Sequence, residues 1–392
     1  MTDDDFKITR QQFPNTTDFK LLRKKGSVPY SFYKSHESYN ITYLEKSMFF
    51  DELKNEMAPD SAYDEAKVIW DHFKIKNHGE FIDLYLKTDV LLLADLFEKF
   101  RNVNLNYFQI DPCHCYSAPG LTWQAGLKYT GINLELLTDT DILLTFEKAI
   151  RGGISGVMGT RHFKANENHK LLFIDANNLY GWAMMEPQPY GSFNMIDNSP
   201  LSMNIISKEQ IMAIPSDSQV GYFFEVDLEY PQSIKFKSKN FPFCPESLFI
   251  EDHELSAYQK ELLGDEKRSN VEKLILTQKD KTNYIVHYRM LQFYLKHGMV
   301  LKKVHSVISF KQSKWLAPYI DFNTKKRMDS KTDFEKDYFK LMNNAFYGKT
   351  CENVRNRVEI ELVSDGERAR SVMANPRFSS ICVFDEHNAA IS

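Results

Sequence analysis

The chain has 392 residues, 43% of them hydrophobic and 26% charged, which excludes a disordered or fibrous protein and predicts two or three domains. Its formal net charge of −4 argues against a protein that coats nucleic acid non-specifically. Apolar runs stay far below the roughly 18 residues of a membrane-spanning helix, and the acidic first residues are unlike a signal peptide. We therefore expect a soluble intracellular protein with no membrane partner, and the sequence leaves its compartment, nucleus or organelle included, open.

Five cysteines are scattered along the chain, apart from the close pair Cys113 and Cys115. An odd number without paired spacing is typical neither of a disulfide framework nor of a four-ligand zinc site. We expect free thiols in a reducing compartment.

The first half of the chain predicts mainly helices. Residues 1 to about 60 are rich in turn formers and contain few long elements. Residues 61–102 have apolar side chains at helical spacing and predict two helices. Pro119 and Gly120 then interrupt the chain before a short helix around Thr122–Lys128.

The second half predicts strands as well as helices. The apolar residues 171–174 predict a strand that runs into a turn, and the alternating residues 221–230 predict a second strand. Residues 271–301 predict helix, and residues 332–353 predict one long helix. Together these elements predict a mixed α/β fold.

Asp175 directly follows the first predicted strand, where a carboxylate can meet solvent while its backbone is held in a sheet. Metal-binding carboxylates occupy such positions, although a lone Asp after a strand more often has a structural role. Tyr180 follows five residues later, beyond the turn that Asn177 and Asn178 indicate. The pattern alone leaves both interpretations open.

The predicted helix 332–353 carries Lys340, Asn344 and Tyr347 at positions i, i+4 and i+7, which lie on one face. A cation, an amide and a phenol along one groove suit a triphosphate with its base. The alternative is a solvated helix face with Tyr347 partly in the core.

Positive charge is concentrated near this helix, because residues 300–350 contain eleven Lys and Arg against five Asp and Glu. Aromatic residues are interleaved with these charges, a mixture that suits phosphates and bases, although core packing explains most of the aromatic residues. The stretch predicts a site for an anionic partner, with a solvated basic surface as the alternative.

Two segments occur together and in a fixed order: DANNLYG at Asp175–Gly181 and KLMNNAFYG at Lys340–Gly348. The pair resembles motif A, commonly DxxSLYP, and motif B, KxxxNSxYG, of family B DNA polymerases, and we name the two segments motif A and motif B. The 165 residues from Asp175 to Lys340 are similar to the insertion carried by protein-primed members in viruses, linear plasmids and large mobile elements.

Two further segments extend the resemblance. Tyr85 and Asp89 in YLKTD match the YxxxD third exonuclease motif of that family. Arg151, Gly152 and Gly153 look like its YxGG segment, which links the exonuclease and polymerase domains. The resemblance implies a polymerase palm and fingers with a remnant of the exonuclease domain.

The implied organisation has three parts. Residues 1–115 would form an N-terminal region with the end of an exonuclease-like domain, and residues 116–170 a linker segment. Residues 171–392 would form the palm and fingers region, with an insertion at about 187–310.

The sequence also departs from the family pattern. Asn178 and Gly181 replace the Ser and Pro of motif A, and Ala345 replaces the Ser of motif B. The third polymerase motif, YxDTDS, has no counterpart after motif B, and the first two exonuclease motifs have no convincing counterpart before Tyr85. TDTD at Thr138–Asp141 precedes motif A and predicts a helix cap, at Asp139 or Asp141. The chain therefore resembles the middle of a polymerase, truncated at both ends.

The resemblance implies template-directed nucleotidyl transfer with two Mg²⁺ ions, in which Asp175 and Lys340 are catalytic. Asp175 and the carbonyl of Ala176 would bind metal, Lys340 would neutralise the triphosphate, and Tyr180 would exclude a 2′-hydroxyl. The residues implied to bind nucleotide are Tyr180, Asn344, Tyr347 and Gly348. Those expected to bind DNA are Arg151, Gly152, Gly153, Lys325, Lys326 and Arg327.

The implied partners are DNA template and primer, deoxynucleoside triphosphates and a terminal priming protein. Because one catalytic carboxylate has no counterpart, the alternative is an inactive fragment that retains DNA or nucleotide binding. A third interpretation is an unrelated structural α/β protein with chance motifs.

Overall fold

The structure is a computed structural model that describes residues 2–155, 164–196, 206–264 and 270–392. The helices of the first half are α1 (Lys7–Gln12), α2 (Thr16–Leu22), α3 (Asp60–His72), α4 (His78–Phe108), α5 (Ala118–Thr130) and α6 (Thr140–Ala149). Those of the second half are α7 (Leu179–Met184), α8 (Lys208–Ala213), α9 (Gln232–Lys235), α10 (Ala257–Leu263), α11 (Tyr288–Lys296), α12 (Ala317–Asp329), α13 (Asp333–Thr350) and α14 (Gly366–Met373).

The strands are short except in one sheet. They are β1 (Phe50–Asp51), β2 (Glu56–Met57), β3 (Gln188–Ile196), β4 (Val220–Glu229), β5 (Glu246–Leu248), β6 (Lys273–Ile275), β7 (Lys281–His287), β8 (Val300–Ser313), β9 (Glu361–Val363), β10 (Ile381–Val383) and β11 (Ala389–Ile391). The mixed α/β fold is thereby confirmed.

The main sheet has the strand order β3-β8-β4-β7, and each neighbouring pair is antiparallel. Side chains alternate along β4, so that Phe224, Val226 and Leu228 are buried on one face. Leu291 and Leu295 of α11 belong to the same apolar core. Burying this face against a helix stabilises the antiparallel sheet.

A second core is made by helices. The inner side of α13 buries Tyr338, Phe339, Met342 and Phe346 among side chains of α12 and α5. A Cβ atom on Gly126 of α5 would lie 2.4 Å from the ring of Phe346, so only glycine allows this close approach. The tight contact fixes α13 against α5.

A third core lies in the N-terminal region, where α3 and the first half of α4 pack against residues 13–49. The second half of α4 reaches the helical core around α13, where the Tyr338 hydroxyl donates to Oδ1 of Asn104 at 3.0 Å. The helix α4 therefore connects the two cores. The predicted boundaries at residues 115 and 170 stay predictions.

Several predicted elements are confirmed. The two helices of 61–102 correspond to α3 and α4, the short helix to α5, the strand 221–230 to β4 and the long helix to α13. The cap is confirmed as well, because the Asp139 side chain accepts hydrogen bonds from the backbone N–H groups of Asp141 and Ile142 at 2.9 and 3.0 Å.

Two predicted elements are wrong. Residues 271–301 form β6, β7, α11 and the start of β8, with helix confined to 288–296. The pairing of β7 with β4 overrides the local helical pattern. Residues 171–174 form no strand, because none of the described residues pairs with them.

The polypeptide stretches that the structure describes include no helix that combines the length and the apolar character needed to cross a lipid bilayer.

Candidate functional site

The helix α13 presents motif B toward solvent. Its N-cap is Thr332, whose side chain accepts a hydrogen bond from the Glu335 N–H at 3.3 Å. With four large side chains buried on the opposite side, Lys340 and Asn344 are exposed and Tyr347 is half-buried. Gly348 is also exposed, and the position of its missing Cβ is open space. The helix face thus carries one cation, one amide and one phenol, as the spacing predicts.

Motif A meets motif B at two tyrosines. Asn178 adopts the left-handed conformation with φ 54° and precedes the short helix α7, which carries Tyr180. The Tyr180 ring stacks on the Tyr347 ring, with centroids 4.1 Å apart and planes 21° apart. Burial, and next the neighbouring Cys351, raise the pKa of Tyr347, so its phenol is protonated at neutral pH. The two motifs therefore share one surface.

A polar contact beside this stack was missed by the sequence reasoning. Thr324 of α12 accepts hydrogen bonds from the side-chain amides of Asn178 and Asn343, at 3.4 and 3.3 Å. Thr324 lies 146 residues from Asn178 in the sequence. No local pattern could have indicated this contact.

Asp175 and Ala176 lie in the segment before α7, which has no regular secondary structure, and both are exposed. Within the described ranges, no group of three or more His, Cys, Asp or Glu side chains could hold a metal ion. The implied ligands are therefore one carboxylate and one backbone carbonyl, whereas a two-ion site needs ligands for two octahedral Mg²⁺ ions. These residues by themselves do not fit a two-magnesium centre.

Arg151 contacts strand β7 of the main sheet. Its guanidinium lies 4.0 Å from the centroid of the Tyr284 ring and donates to the Ile285 carbonyl at 2.8 Å. Gly152 and Gly153 are exposed, and neither has a neighbour where a Cβ would stand. Of these three residues, the two glycines are the more accessible to a nucleic-acid backbone.

The basic end of α12 has three different environments. Lys325 pairs with Asp321 at 2.6 Å, and this hydrogen bond raises the pKa of Lys325. The Lys326 ammonium lies 5.0 Å from the centroid of the Tyr107 ring. Arg327 is exposed and has no ion pair with any described residue. Arg327 is thus the most available of the three cations for a phosphate.

Tyr85 and Asp89 lie one turn apart on α4, beside a small pocket whose lining includes Gly26 and Thr88. The Tyr85 hydroxyl forms a hydrogen bond with the Tyr30 hydroxyl, and the two rings meet edge to face. Burial, and next this hydrogen bond, raise the pKa of Tyr85. The two residues of the exonuclease-like motif therefore line one pocket. They precede motifs A and B in the chain.

Comparison with known proteins identifies the family. The model of the family described as DNA polymerase type B, organellar and viral, matches residues 1–377. The chain therefore belongs to the organellar and viral type B DNA polymerases, and the resemblance based on motifs A and B is confirmed. A comparison with curated protein sequences finds no match.

Among solved structures, the chain is similar to phi29 DNA polymerase. The orthorhombic crystal form is 15% identical with a TM-score of 0.42, over 84% of this chain and 48% of that one. The complex with primer-template DNA is 16% identical with a TM-score of 0.40, over 83% of this chain and 47% of that one. The ternary complex with primer-template DNA and incoming nucleotide is 16% identical with a TM-score of 0.38, over 84% of this chain and 47% of that one. The chain thus spans about half the length of that polymerase.

Proposed function

We propose that this chain provides part of the nucleotide- and DNA-binding surface of a DNA-directed DNA polymerase. The observation that carries the proposal is the stack of Tyr180 on Tyr347, which brings the segment after Asp175 against the helix face that carries Lys340 and Asn344. A nucleoside triphosphate needs a cation for its phosphates and a planar wall for its sugar and base, and this surface offers both.

In the proposed reaction, a primer hydroxyl attacks the α-phosphate of a deoxynucleoside triphosphate and pyrophosphate leaves. Lys340 balances the charge of the triphosphate, and Tyr180 lies under the sugar, where its ring leaves no room for a 2′-hydroxyl. Asn344, Tyr347 and Gly348 support the base pair. Asp175 and the Ala176 carbonyl would supply only part of the ligand set that two Mg²⁺ ions need, so a complete metal centre would require further carboxylates.

The proposed DNA contacts are Gly152, Gly153 and Arg327, with weaker contributions from Lys325, Lys326 and Arg151 because each of these cations already has an internal partner. Phosphate contacts of this kind position DNA without reading its sequence. A terminal priming protein is a further proposed partner, based on the long interval between motifs A and B.

Nucleotide binding tests the proposal most directly. Lys340→Ala should weaken binding of a fluorescent deoxynucleoside triphosphate by about tenfold, the value of one charge-assisted contact of about 1.4 kcal/mol. The matched control is Lys336→Ala on the same helix, because Lys336 is ion-paired with Asp333 at 3.4 Å. Equal affinity of the Lys340→Ala variant and the unmutated chain would contradict the proposal.

DNA binding is tested by salt dependence. Replacing Lys325, Lys326 and Arg327 together by alanine should weaken duplex binding for all sequences and flatten the salt slope by about 0.9 per lost phosphate contact. Replacing Lys34 and Lys67, which pair with Glu52 and Asp71 in the N-terminal region, should leave the slope unchanged. A wild-type slope in the triple variant would remove the case for this end of α12.

Primer extension separates the two forms of the proposal. Incorporation of nucleotide by this chain, abolished in Asp175→Asn, is expected of an active polymerase. Binding of DNA and nucleotide without incorporation is expected of the alternative, a catalytically inactive fragment.

We further propose that Tyr85 and Asp89 belong to a residual exonuclease domain that does not excise nucleotides in this chain. Exonucleases of this type use several carboxylates around two metal ions. Degradation of single-stranded DNA that disappears in Asp89→Ala would contradict this proposal.

A further inference from the structure

We infer that Asn178, Thr324 and Asn343 form a hydrogen-bonded junction that sets the position of Tyr180 and thereby the discrimination between deoxyribonucleotides and ribonucleotides. The inference rests on the proposed nucleotide site and adds three residues that position Tyr180 without touching the nucleotide. We refer to these three residues as the amide junction.

The amide junction uses the full hydrogen-bonding capacity of one hydroxyl. Oγ1 of Thr324 accepts from Nδ2 of Asn178 at 3.4 Å and from Nδ2 of Asn343 at 3.3 Å. The same hydroxyl donates to the Ile320 carbonyl at 2.8 Å. A threonine hydroxyl has one donor and two acceptor positions, so Thr324 is saturated. It thereby joins the turn of motif A to α12 and α13.

The backbone at Asn178 explains why this turn controls Tyr180. Asn178 has φ 54° and ψ 40°, a left-handed conformation that asparagine tolerates better than most residues. Its carbonyl accepts the hydrogen bond from the Trp182 N–H at 2.9 Å, which begins the helix α7. Tyr180 lies in the first turn of α7. Fixing the Asn178 side chain on α12 therefore fixes the start and direction of the helix that carries Tyr180.

Gly181 is sterically coupled to the amide junction, because it packs against the Asn178 side chain. A Cβ atom at position 181 would stand 2.4 Å from both Nδ2 and Oδ1 of Asn178. Any side chain there, proline included, would push the amide away from Thr324. The two departures from the DxxSLYP pattern, Asn178 and Gly181, thus have one physical cause: the longer amide occupies the space that a residue 181 side chain needs.

The consequence for the proposed site is positional. Tyr180 is held at its ring by the stack on Tyr347 and at its backbone by the amide junction. Exclusion of a 2′-hydroxyl is steric, so a shift of about 1 Å in the ring changes it strongly. Loosening the junction should therefore admit ribonucleotides while the charge of Lys340 continues to hold the triphosphate.

The first experiment measures the ratio of dATP to ATP affinity, by competition with a fluorescent deoxynucleotide, in the full chain. Thr324→Val removes the hydroxyl and should reduce this ratio about fivefold, the loss that corresponds to one hydrogen bond of about 1 kcal/mol. Thr324→Ser keeps the hydroxyl and should retain the ratio. An unchanged ratio in Thr324→Val would overturn the inference, as would an equal loss in Thr324→Ser.

The second experiment tests the amide junction through stability, independently of nucleotide binding. Gly181→Ala should lower the thermal midpoint by roughly 3 °C in the unmutated chain and by much less in an Asn178→Gly background, where no side-chain atom of residue 178 remains to clash and the left-handed backbone is still tolerated. Equal shifts in both backgrounds would overturn the coupling. If the unmutated chain bound no deoxynucleotide, both the proposed function and the role of the junction in discriminating ribonucleotides would fail. The effect of Gly181→Ala with and without the Asn178 side chain would still decide whether the amide junction exists.

Discussion

The two motifs are held in the molecule in opposite ways. Motif B lies on an 18-residue helix whose backbone is hydrogen-bonded internally and whose inner side chains are buried. The segment that leads into motif A has no regular secondary structure and pairs with none of the described residues, and its side chains are exposed, from 67% for Leu171 to 95% for Phe173. A helix forms its own backbone hydrogen bonds, whereas a segment without regular structure depends on a neighbouring element for them.

Motif A contacts other elements of the fold from Asn178 onward. Asn178 and Tyr180 contact α12 and α13, and Glu186, just after α7, pairs with Arg289 of α11 at 2.7 Å. Motif A is therefore attached to the helical core, and the chain just after α7 is attached to α11, which packs on the main sheet. The following predictions test this difference between the motifs, from the largest expected effect to the smallest.

Phe346→Ala should lower the free energy of unfolding by about 4 kcal/mol, because it leaves a cavity between α13 and α5. Phe346 is 1% exposed, and its ring stacks on the Trp123 ring with centroids 5.1 Å apart. Chemical denaturation monitored by circular dichroism measures the loss. A change below about 1 kcal/mol would mean that the inner face does not hold motif B.

Acid should first destabilise the region around His287, the last residue of β7, which lies close in the chain to the Arg289 that pairs with Glu186. Burial, and next the charge of Arg289, lower the pKa of His287 to about 4, against 6.5 in an unfolded chain. Between these values the unfolded chain binds a proton that the folded chain does not, so stability falls as the pH falls from 6.5 toward 4. We expect a loss of about 2 kcal/mol between pH 7 and pH 5.

His287→Gln should remove this part of the pH dependence, measured as the midpoint of urea unfolding at both pH values. Hydrogen exchange should show that amides of α7 lose protection at pH 5 before those of α13. The same pH dependence in His287→Gln, or simultaneous loss in both helices, would contradict this prediction.

Tyr338→Phe should lower the free energy of unfolding by about 1 kcal/mol, because it leaves the Oδ1 atom of Asn104 buried without its hydrogen bond. The change tests whether α4 steadies the first turns of motif B, since Tyr338 lies two residues before Lys340. Thr88→Ser, which keeps the hydroxyl that donates to the Leu84 carbonyl on α4, is a suitable control. Equal stability of Tyr338→Phe and the unmutated chain would exclude this role.

Phe173→Ala should change the free energy of unfolding by less than about 0.5 kcal/mol, because the side chain is already exposed. Phe346→Ala and Phe173→Ala are the same substitution, the first in motif B and the second in the segment before motif A, so the two losses of stability can be compared directly. A loss of more than about 2 kcal/mol at position 173 would show that the segment is packed, and the contrast between the motifs would then be wrong.

The sequence by itself determined the helices α3, α4, α5 and α13, the strand β4 and the family, because each depends on local spacing or on short motifs. The face of α13 that carries Lys340 and Asn344 follows from the helical period alone. The cap at Asp139 could also be predicted, since a capping side chain reaches only its own first turn.

Only the tertiary structure decided the strand β7, the exposure of residues 171–174, the attachment of Arg151 to the sheet and the meeting of Tyr180 with Tyr347. Each depends on residues far apart in the chain, as Thr324 is from Asn178. Strand pairing and side-chain contacts between elements are not encoded in any local period. The physical reason is that a helix satisfies its backbone within one segment, while strands and binding surfaces are completed by distant partners.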